Sequence, residues 1–401
     1  MFGPRDEGPI RIAFVLFTNL SEGAGTEKTL LNYVRYMPPG RRHVIVVQTN
    51  QSRYKRLSEE VIRESLSSVS LRTVPVNDFG LFSINLRPLR YAYSILLRPI
   101  IAYLATRGPA KEELADLGTV DVLFFFSNDY SSLVRKRAQV FIGSTQTLLL
   151  NGPGARIGRA LIRSNLMYRR IDGFQKVFKL EKWDFGRPLD FELPGGVDTS
   201  TFHPALHPYV GPFRFLFVSR LTQDKGFGRL LEAWEMCGRS DWELHIVGRG
   251  PMEGHIPNRP NVIYHGALPE TELAEVYRSC DVFVFPTAGE SFGLVVVEAL
   301  ASGLFVLAGD SLRGMFDQFE ALGSLAYIPN SPERIAESMR NCAERVDTIR
   351  RPNPATRSLI KERFEWSEVS RSLFEALDQI AINRRQSVSS ARGSSSAKLA
   401  K

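Results

Sequence analysis

Residues 281–303 have the sequence DVFVFPTAGESFGLVVVEALASG, and this segment predicts the fold of the 401-residue chain. The apolar run at 282–285 is typical of a buried parallel strand, 286–293 of the loop at its carboxyl end, and the residues that follow of a helix. In an open α/β sheet that loop lies where ligands bind. The spacing therefore places Glu290 at the binding edge of the sheet and Glu298 in the first turns of the next helix.

Alternating strand and helix patterns extend over both halves of the chain. The first half predicts strands at 10–17, 43–48, 121–126 and 140–143, with a helix at about 27–36. The second half predicts strands at 213–219, 242–247, 262–265, 282–285 and 304–308, and helices at 226–237, 270–278 and 294–301. Such alternation is typical of doubly wound parallel sheets. We therefore predict an α/β protein with two Rossmann-like domains in tandem.

Charge is distributed unevenly along the chain. Lys plus Arg against Asp plus Glu number 28 and 19 in residues 1–200, 18 and 24 in 201–383, and 5 and 0 in 384–401. This asymmetry predicts a domain boundary near residue 200 and an N-terminal half that meets something anionic. We predict an N-terminal Rossmann-like domain at 1–200, a C-terminal Rossmann-like domain at 201–365, an amphipathic helix at 366–383, and a basic Ser-rich tail at 384–401. The tail is expected to be disordered, although contact with anionic lipid or nucleic acid is an alternative.

The cysteines and the N-terminus point to a cytoplasmic protein. The three cysteines, Cys237, Cys280 and Cys342, have no CxxC spacing, which favours a reducing compartment. The first residues lack a signal-peptide pattern. No apolar run reaches the roughly 18 residues that a membrane-spanning helix needs.

The opening segment also carries a recognisable motif. Pro286, Glu290, Phe292-Gly293 and Glu298 occur together, and this pattern resembles the Glu-x7-Glu signature of retaining glycosyltransferases of family 4, in the GT-B superfamily. The resemblance implies two Rossmann-like domains that face each other across a cleft, with a C-terminal helix packing back toward the N-terminal domain. It implies that residues 1–200 form the acceptor domain and residues 201–365 the nucleotide-sugar donor domain. It also implies that a sugar is transferred from a nucleotide-sugar donor with retention at the anomeric carbon.

The same resemblance implies roles for individual residues. Glu290 would accept hydrogen bonds from the hydroxyl groups of the donor sugar, and Glu298 from those of the ribose. The backbone amides at the helix start form a positive N-terminus that suits a phosphate or sugar hydroxyls. The donor-binding residues predicted in this loop are Ser291, Phe292, Gly293 and Leu294.

A second motif supplies positive charge. The segment at 217–226, FVSRLTQDKG, places Arg220 and Lys225 on one loop at the end of a predicted strand. A guanidinium fork and an ammonium on one loop suit a diphosphate. The segment resembles the Arg-Leu…Lys-Gly motif of the family, which implies that both side chains neutralise the leaving nucleoside diphosphate. Arg220, Lys225 and Glu290 are therefore the predicted catalytic residues.

Three further donor-binding positions are predicted by the resemblance. Gly248 lies in a Val-Gly-Arg-Gly-Pro turn, Leu268 follows His-Gly-Ala near the expected nucleotide base, and Gly25 belongs to the loop Gly-Ala-Gly after the first strand. The segment Leu-Pro-Gly-Gly-Val-Asp at 193–198 is similar to the interdomain hinge of the family, with Gly195 in place of its usual asparagine.

Two features bear on catalysis. Asp-x-Asp occurs nowhere in the chain, in keeping with the GT-B superfamily, so no metal and no cofactor are expected. Where the family often has a histidine, the chain has Gln146, which can form hydrogen bonds but cannot act as an acid or base. Alternatives are a degenerate GT-B protein that binds a nucleotide sugar or a partner without turnover, or a GT-B sugar-nucleotide epimerase.

The acceptor is predicted only by class. Residues 79–111 and 130–171 contain no acidic side chain, and four arginines, at 156, 159, 163 and 170, fall on one face of a predicted helix. That face is either solvated or suited to anionic headgroups. We therefore expect a glycan or lipid-linked acceptor, with peripheral attachment to an anionic membrane surface as a possibility. No nucleic-acid-binding module is recognisable, so no nucleic acid is expected.

Overall fold

A computed structural model gives the structure of most of the chain. It describes residues 8–16, 20–22, 25–40, 42–49, 58–74, 117, 120–126, 140–144, 171–176, 188–206, 210–290 and 292–399. The chain divides into two compact units, Met1–Leu193 with Val369–Lys401, and Pro194–Glu368. Each unit is described by itself below.

The first unit is built on a parallel sheet. Its strands in the described residues are β1 (Ile10–Val15), β2 (Arg42–Thr49), β3 (Ser70–Val74), β4 (Val122–Phe125), β5 (Val140–Ser144), β6 (Gly173–Lys176) and β7 (Phe191–Glu192). They lie in the order β3-β2-β1-β4-β5-β6-β7, which begins with the order of Rossmann sheets. A 3-10 helix at Leu20–Glu22, helix α1 (Gly25–Arg35) and helix α2 (Glu59–Ser65) connect the first strands. The four residues of β4, inside the sheet, are apolar and fully buried, as expected for a parallel strand covered on both faces.

The second unit repeats this arrangement. Its strands are β8 (Phe213–Val218), β9 (Trp242–Val247), β10 (Val262–Gly266), β11 (Val282–Phe285), β12 (Phe305–Gly309) and β13 (Leu325–Ile328). Their order is β10-β9-β8-β11-β12-β13, and all the pairs are parallel. The helices are α3 (Phe227–Cys237), α4 (Glu270–Arg278), α5 (Leu294–Ala301), α6 (Asp317–Ala321), α7 (Pro332–Ala343), α8 (Val346–Ile349) and α9 (Pro354–Arg363). The doubly wound α/β fold predicted from the sequence is confirmed in both units.

The last helix, α10 (Trp366–Leu399), packs against the first sheet from Val369 onward. The ring of Phe374 meets that of Phe14 edge-on at 6.0 Å, and the hydroxyl of Ser370 donates to the carbonyl of Tyr33 at 2.7 Å. Arg42 forms an ion pair with Asp378 of the helix at 2.5 Å. The C-terminal helix thus packs on the N-terminal domain, as the resemblance implies.

The structure differs from the prediction at the end of this helix. The sequence predicts a disordered tail from residue 384, whereas α10 continues to Leu399. Arg385 explains part of the difference, because its guanidinium binds Asp121 at 2.6 Å and the carbonyls of Gly8 and Pro9. The following residues contain a single glycine and no proline to end the helix. No helix in the described part of the chain is both long and apolar enough to cross a membrane.

Candidate active site

The topological switch point of the second sheet lies between β8 and β11, which are neighbours although three connections separate them in the chain. In doubly wound sheets a ligand binds outside the carboxyl ends of the strands at this point. Two loops leave it, residues 219–226 after β8 and residues 286–293 after β11. We call them the cation loop and the glutamate loop.

The two loops are joined through their backbones. The carbonyl of Asp224 in the cation loop accepts a hydrogen bond from the amide of Ala288 at 2.8 Å and from the hydroxyl of Thr287 at 3.4 Å. Gly226 has φ +77°, and a Cβ atom there would lie 2.0 Å from the carbonyl oxygen of Pro286. Only glycine combines this backbone conformation with so close an approach. The loops therefore form one bonded structure.

Arg229, on the first turn of α3, forms hydrogen bonds to both loops. Its guanidinium donates to the carbonyl of Gln223 in the cation loop at 3.4 Å and to that of Pro286 in the glutamate loop at 3.3 Å. Its Nε donates to Asn330 at 2.6 Å. Sequence reasoning did not identify Arg229, although it follows Lys225 by about one helical turn.

Lys225 and Glu290 meet at this junction. The Lys225 ammonium lies 2.5 Å from Oε1 of Glu290, and the two side chains are 11% and 20% exposed. The sequence predicts one residue for phosphate and the other for sugar hydroxyls, but it does not predict that they form an ion pair across 65 positions. A partly buried pair of this kind holds both charged groups in fixed positions, ready for a polar ligand.

Arg220 lies in a different environment. Its side chain is 61% exposed, and its guanidinium is 3.6 Å from Asp224. Burial alone would raise the pKa of Asp224, but a hydrogen bond from Thr222 and the charges of Arg220 and Lys225 outweigh it and lower that pKa. The structure therefore places Lys225 inside the junction and Arg220 at its solvent side.

The glutamate loop ends at the N-terminus of α5. Gly293 is the N-cap, with φ +90°, and Leu294 is the first helical residue. The side chain of Phe292 is buried and stacks on Phe364 at 6.3 Å, so its backbone is the part that can meet a ligand. Gly195 packs against this loop, because a Cβ there would lie 2.4 Å from the ring of Phe292. That contact leaves no room for a side chain at position 195.

Glu298 lies in the second turn of α5 and is half-buried. Its Oε2 accepts a hydrogen bond from the hydroxyl of Tyr277 at 3.2 Å. Tyr277 is fully buried at the end of α4. Sequence reasoning missed this tyrosine, since an aromatic residue on the buried side of a helix carries no signal of function.

The remaining predicted donor-binding residues of this unit lie farther along the sheet edge. Gly248, at the end of β9, has φ +133°, and a Cβ there would lie 1.8 Å from the carbonyl oxygen of Ser219. A glycine is therefore required at position 248, because the ends of β8 and β9 approach each other this closely. Leu268 lies between β10 and α4 and is half-buried.

The loop after β12 also touches the glutamate loop. Ser311 donates to the carbonyl of Thr287 at 2.7 Å, and a Cβ at Gly309 would lie 2.7 Å from the same oxygen. The loops after three neighbouring strands, β8, β11 and β12, are thereby hydrogen-bonded together around Thr287, which is fully buried.

Gly25 belongs to the first unit, where it is the first residue of α1 and is exposed. The sequence places it in the loop before a helix starting near Glu27, so the helix begins earlier than predicted. A Cβ at Gly25 would meet no atom within 4 Å, so packing does not require a glycine there. Ser291, Gln146 and the four arginines of the predicted basic helix lie outside the described residues.

Part of the chain matches a known protein family. Residues 212–345 match the family model described as Glycosyl transferases group 1. A GDP-mannose-dependent alpha-(1-6)-phosphatidylinositol dimannoside mannosyltransferase of Mycobacterium tuberculosis is 27% identical over an alignment of 223 residues. The alignment covers 52% of this chain and 57% of the relative. The chain thus spans little more than half the length of that relative.

Solved structures resemble the chain over most of its length. HepE of Anabaena, crystallised with UDP and glucose, has a TM-score of 0.67 at 14% identity and covers 92% of this chain and 99% of its own. Sucrose-phosphate synthase of Thermosynechococcus elongatus has a TM-score of 0.70 at 16% identity, with coverages of 92% and 99%. The predicted GT-B fold is confirmed. The resemblance to group 1 glycosyltransferases is confirmed over a segment that contains Arg220, Lys225, Glu290 and Glu298.

Proposed function

We propose that this protein, whose residues 212–345 match group 1 glycosyl transferases, is a retaining glycosyltransferase that moves a sugar from a nucleotide-sugar donor to a glycan or lipid-linked acceptor. The Lys225–Glu290 pair carries the proposal. It joins a cation suited to a diphosphate and a carboxylate suited to sugar hydroxyls, at the point of the sheet where ligands bind.

The cation loop and α5 would bind the donor diphosphate. The Lys225 ammonium and the Arg220 guanidinium supply positive charge, and the amides at the N-terminus of α5 supply hydrogen-bond donors. Lys225 is held by Glu290 and the amides by the helix, so in this proposal they would stabilise the charge that develops on the leaving group without rearranging. We propose on this basis that transfer needs no divalent metal.

Glu290 would orient the donor sugar. In the reaction, the bond between the anomeric carbon and the diphosphate oxygen breaks, and its electron pair leaves with the nucleoside diphosphate. The acceptor hydroxyl oxygen bonds to the anomeric carbon on the face that the diphosphate leaves, and its proton passes to a departing phosphate oxygen. Glu290 accepts hydrogen bonds from sugar hydroxyls in this scheme and forms no covalent bond. Its task is to position the sugar.

The relative from Mycobacterium tuberculosis suggests the substrates. Its name specifies GDP-mannose as donor and a phosphatidylinositol mannoside as acceptor. We propose GDP-mannose as the first donor to test and an acceptor linked to an anionic lipid, reached from the cytoplasmic face of a membrane. The net charge of +9 in residues 1–200, from 28 basic and 19 acidic side chains, agrees with such an acceptor.

A donor screen tests the proposal. Binding and slow hydrolysis of GDP-, UDP- and ADP-sugars are measured for the parent protein and for Lys225→Ala and Glu290→Ala, with and without EDTA. We expect one donor class to bind the parent in the presence of EDTA and to bind both variants more weakly. Proton NMR of the transferred sugar reports whether the anomeric configuration is retained. If no nucleotide sugar binds, or if the variants match the parent, the proposed function is wrong.

A further inference from the structure

Tyr277 is a buried tyrosine with one polar end directed at the site. Its side chain has no exposed surface. Its ring lies edge-on to Phe202 at 5.7 Å and tilted against Phe283 of β11 at 5.9 Å. A ring packed on both sides in this way has no room to change rotamer. The position of its hydroxyl group is therefore fixed by the core of the domain.

Two oxygens of α5 lie within reach of that hydroxyl. Oε2 of Glu298 is at 3.2 Å and the carbonyl oxygen of Val295 at 3.3 Å. A phenol has a single proton to donate. A carboxylate accepts the stronger hydrogen bond because it is charged. Burial, together with the neighbouring Glu298 charge, raises the pKa of Tyr277 well above its ordinary value, so the phenol remains a donor.

We propose that Tyr277 is the positioning residue that holds the Glu298 carboxylate ready for the ribose hydroxyls of the donor nucleotide. This inference rests on the proposed function, because it needs a nucleoside diphosphate at the site. A free glutamate side chain samples several rotamers, and fixing one of them on binding costs affinity. Tyr277 meets this cost in the folded protein, so the carboxylate is already oriented when the nucleotide binds.

The test compares Tyr277→Phe with the parent protein, using GDP and 2′,3′-dideoxy-GDP as probes in calorimetric titrations, and UDP with its dideoxy analogue as a parallel pair. The substitution keeps the ring and removes the hydroxyl. Without the hydroxyl, the carboxylate must be ordered when the nucleotide binds, so we expect the Kd of the ribonucleotide to rise on the order of tenfold. The dideoxy analogue should bind the parent and the variant equally. In the transfer assay the donor KM should rise while kcat stays unchanged.

A matched control separates positioning from stability. Tyr327 is also a buried tyrosine whose hydroxyl binds a carboxylate, that of Asp317 at 2.8 Å. The Tyr327 hydroxyl also accepts from the amide of Phe316 at 3.0 Å, so Tyr327→Phe should lower the melting temperature at least as much as Tyr277→Phe does, without changing the ribonucleotide Kd. In a Glu298→Ala background, Tyr277→Phe should cause no further loss of affinity.

The outcomes distinguish this inference from the proposed function. Equal losses for ribonucleotide and dideoxynucleotide, or unchanged affinity in Tyr277→Phe, would overturn the positioning role alone. A parent protein that binds neither GDP nor UDP would overturn the proposed function and the positioning role with it. A ribonucleotide-specific loss in Tyr277→Phe that is absent in Tyr327→Phe supports the inference.

Discussion

An ion pair lies at each end of strand β11, and the carboxylates of the two pairs differ in how deeply they are buried. Before the strand, Asp281 is 5% exposed and accepts donors on both oxygens, from Arg350 at 2.8 Å and from the amide of Arg214 at 2.8 Å. After the strand, Glu290 is 20% exposed, and Lys225 binds its Oε1. The amino end of a parallel sheet is a place for stability, while the carboxyl end is a place for ligands. We therefore expect the first pair to govern folding and the second to govern activity.

Replacing Lys225 tests the second half of this comparison and should produce the largest effect. Lys225→Met keeps the length of the side chain and removes the charge that would stabilise the leaving diphosphate. We expect kcat/KM to fall by on the order of 10³-fold, a loss of about 4 kcal/mol in transition-state stabilisation. Initial rates with the donor identified in the screen measure the change.

Lys361→Met is the matched control for that variant. Lys361 lies on α9 and is exposed, so its replacement should leave the rate unchanged. A Lys225→Met protein that retains the parental kcat/KM would remove the distinction between the two ends of β11.

Replacing Asp281 tests whether the ion pair at the amino end of β11 governs folding. Asp281→Ala leaves the Arg350 guanidinium and the Arg214 amide without their buried acceptor. Removing one partner of a buried pair costs about 3 kcal/mol. We expect the urea midpoint to fall accordingly, while the donor KM of the remaining folded protein stays at the parental value.

Asp241→Ala provides the comparison for Asp281. The pair of Asp241 with Arg239 has side chains that are 60% and 52% exposed, and exposed pairs contribute little to stability. Equal shifts of the urea midpoint in the two variants would show that the Asp281 pair has no special structural weight.

The sequence predicts the interior of the fold better than its edges. Strands β9 and β11 lie inside the second sheet, and the sequence predicts both with the observed bounds, β11 from an apolar run and β9 from apolar residues that alternate with Glu243 and His245. Strands β3, β7 and β13 were not predicted, and each is the last strand of its sheet. There is one exception of each kind: the interior strand β6 was not predicted either, and the edge strand β10 was. An edge strand is short or mixes polar with apolar residues, because one side of it lacks a partner strand. Its pattern therefore resembles that of a loop.

The candidate site was predicted as separate charges, and the contacts between them were not. Motif spacing identifies Lys225 and Glu290, but their ion pair depends on the adjacency of β8 and β11, which the strand order alone decides. Tyr277 is separated from Glu298 by 21 positions and belongs to another helix. Sequence patterns report local periodicity, so contacts made by the packing of two elements lie beyond them.

Gly226 joins the two loops of the site, so its replacement should affect both activity and stability. In Gly226→Ala the new Cβ would lie 2.0 Å from the carbonyl oxygen of Pro286, at a backbone φ of +77°. We expect a loss of about 2 kcal/mol in the free energy of unfolding, together with a lower kcat/KM, because the loops must separate.

Gly238→Ala separates the clash from the backbone strain. Gly238 also has positive φ, +61°, but a Cβ there would come no nearer than 4.0 Å to another atom. It ends α3, and its replacement should cost about 1 kcal/mol for the left-handed conformation alone and leave kcat/KM unchanged. Equal behaviour of the two variants would mean that contact between the loops does not matter for the site.

The smallest expected effect is on the pH dependence of stability. It comes from a pair of histidines that Glu243 and Arg214 link to Asp281, at the amino end of β11. His245 of β9 and His265 of β10 stack at 5.2 Å, with Nδ1 of His245 3.1 Å from Nε2 of His265. Burial lowers the pKa of His245, and the nearby His265 and Arg214 lower it further, against the opposing effect of Glu243. Burial also lowers the pKa of His265.

The sign of the pH dependence follows from these shifts. Both folded-state pKa values lie below the unfolded value of about 6.5, so the unfolded chain binds more protons in this range and stability rises with pH. The stability contributed by the neutral pair is complete above the unfolded pKa and is lost as the pH falls through the folded values. Urea midpoints between pH 7.5 and pH 5.5 should therefore decrease, and His265→Gln should flatten this dependence, whereas His255→Gln, at an exposed site, should not. Because Arg214 links the cluster to Asp281, at the amino end of β11, nucleotide affinity should stay constant in His265→Gln. A change in affinity there would show that the two ends of β11 are coupled.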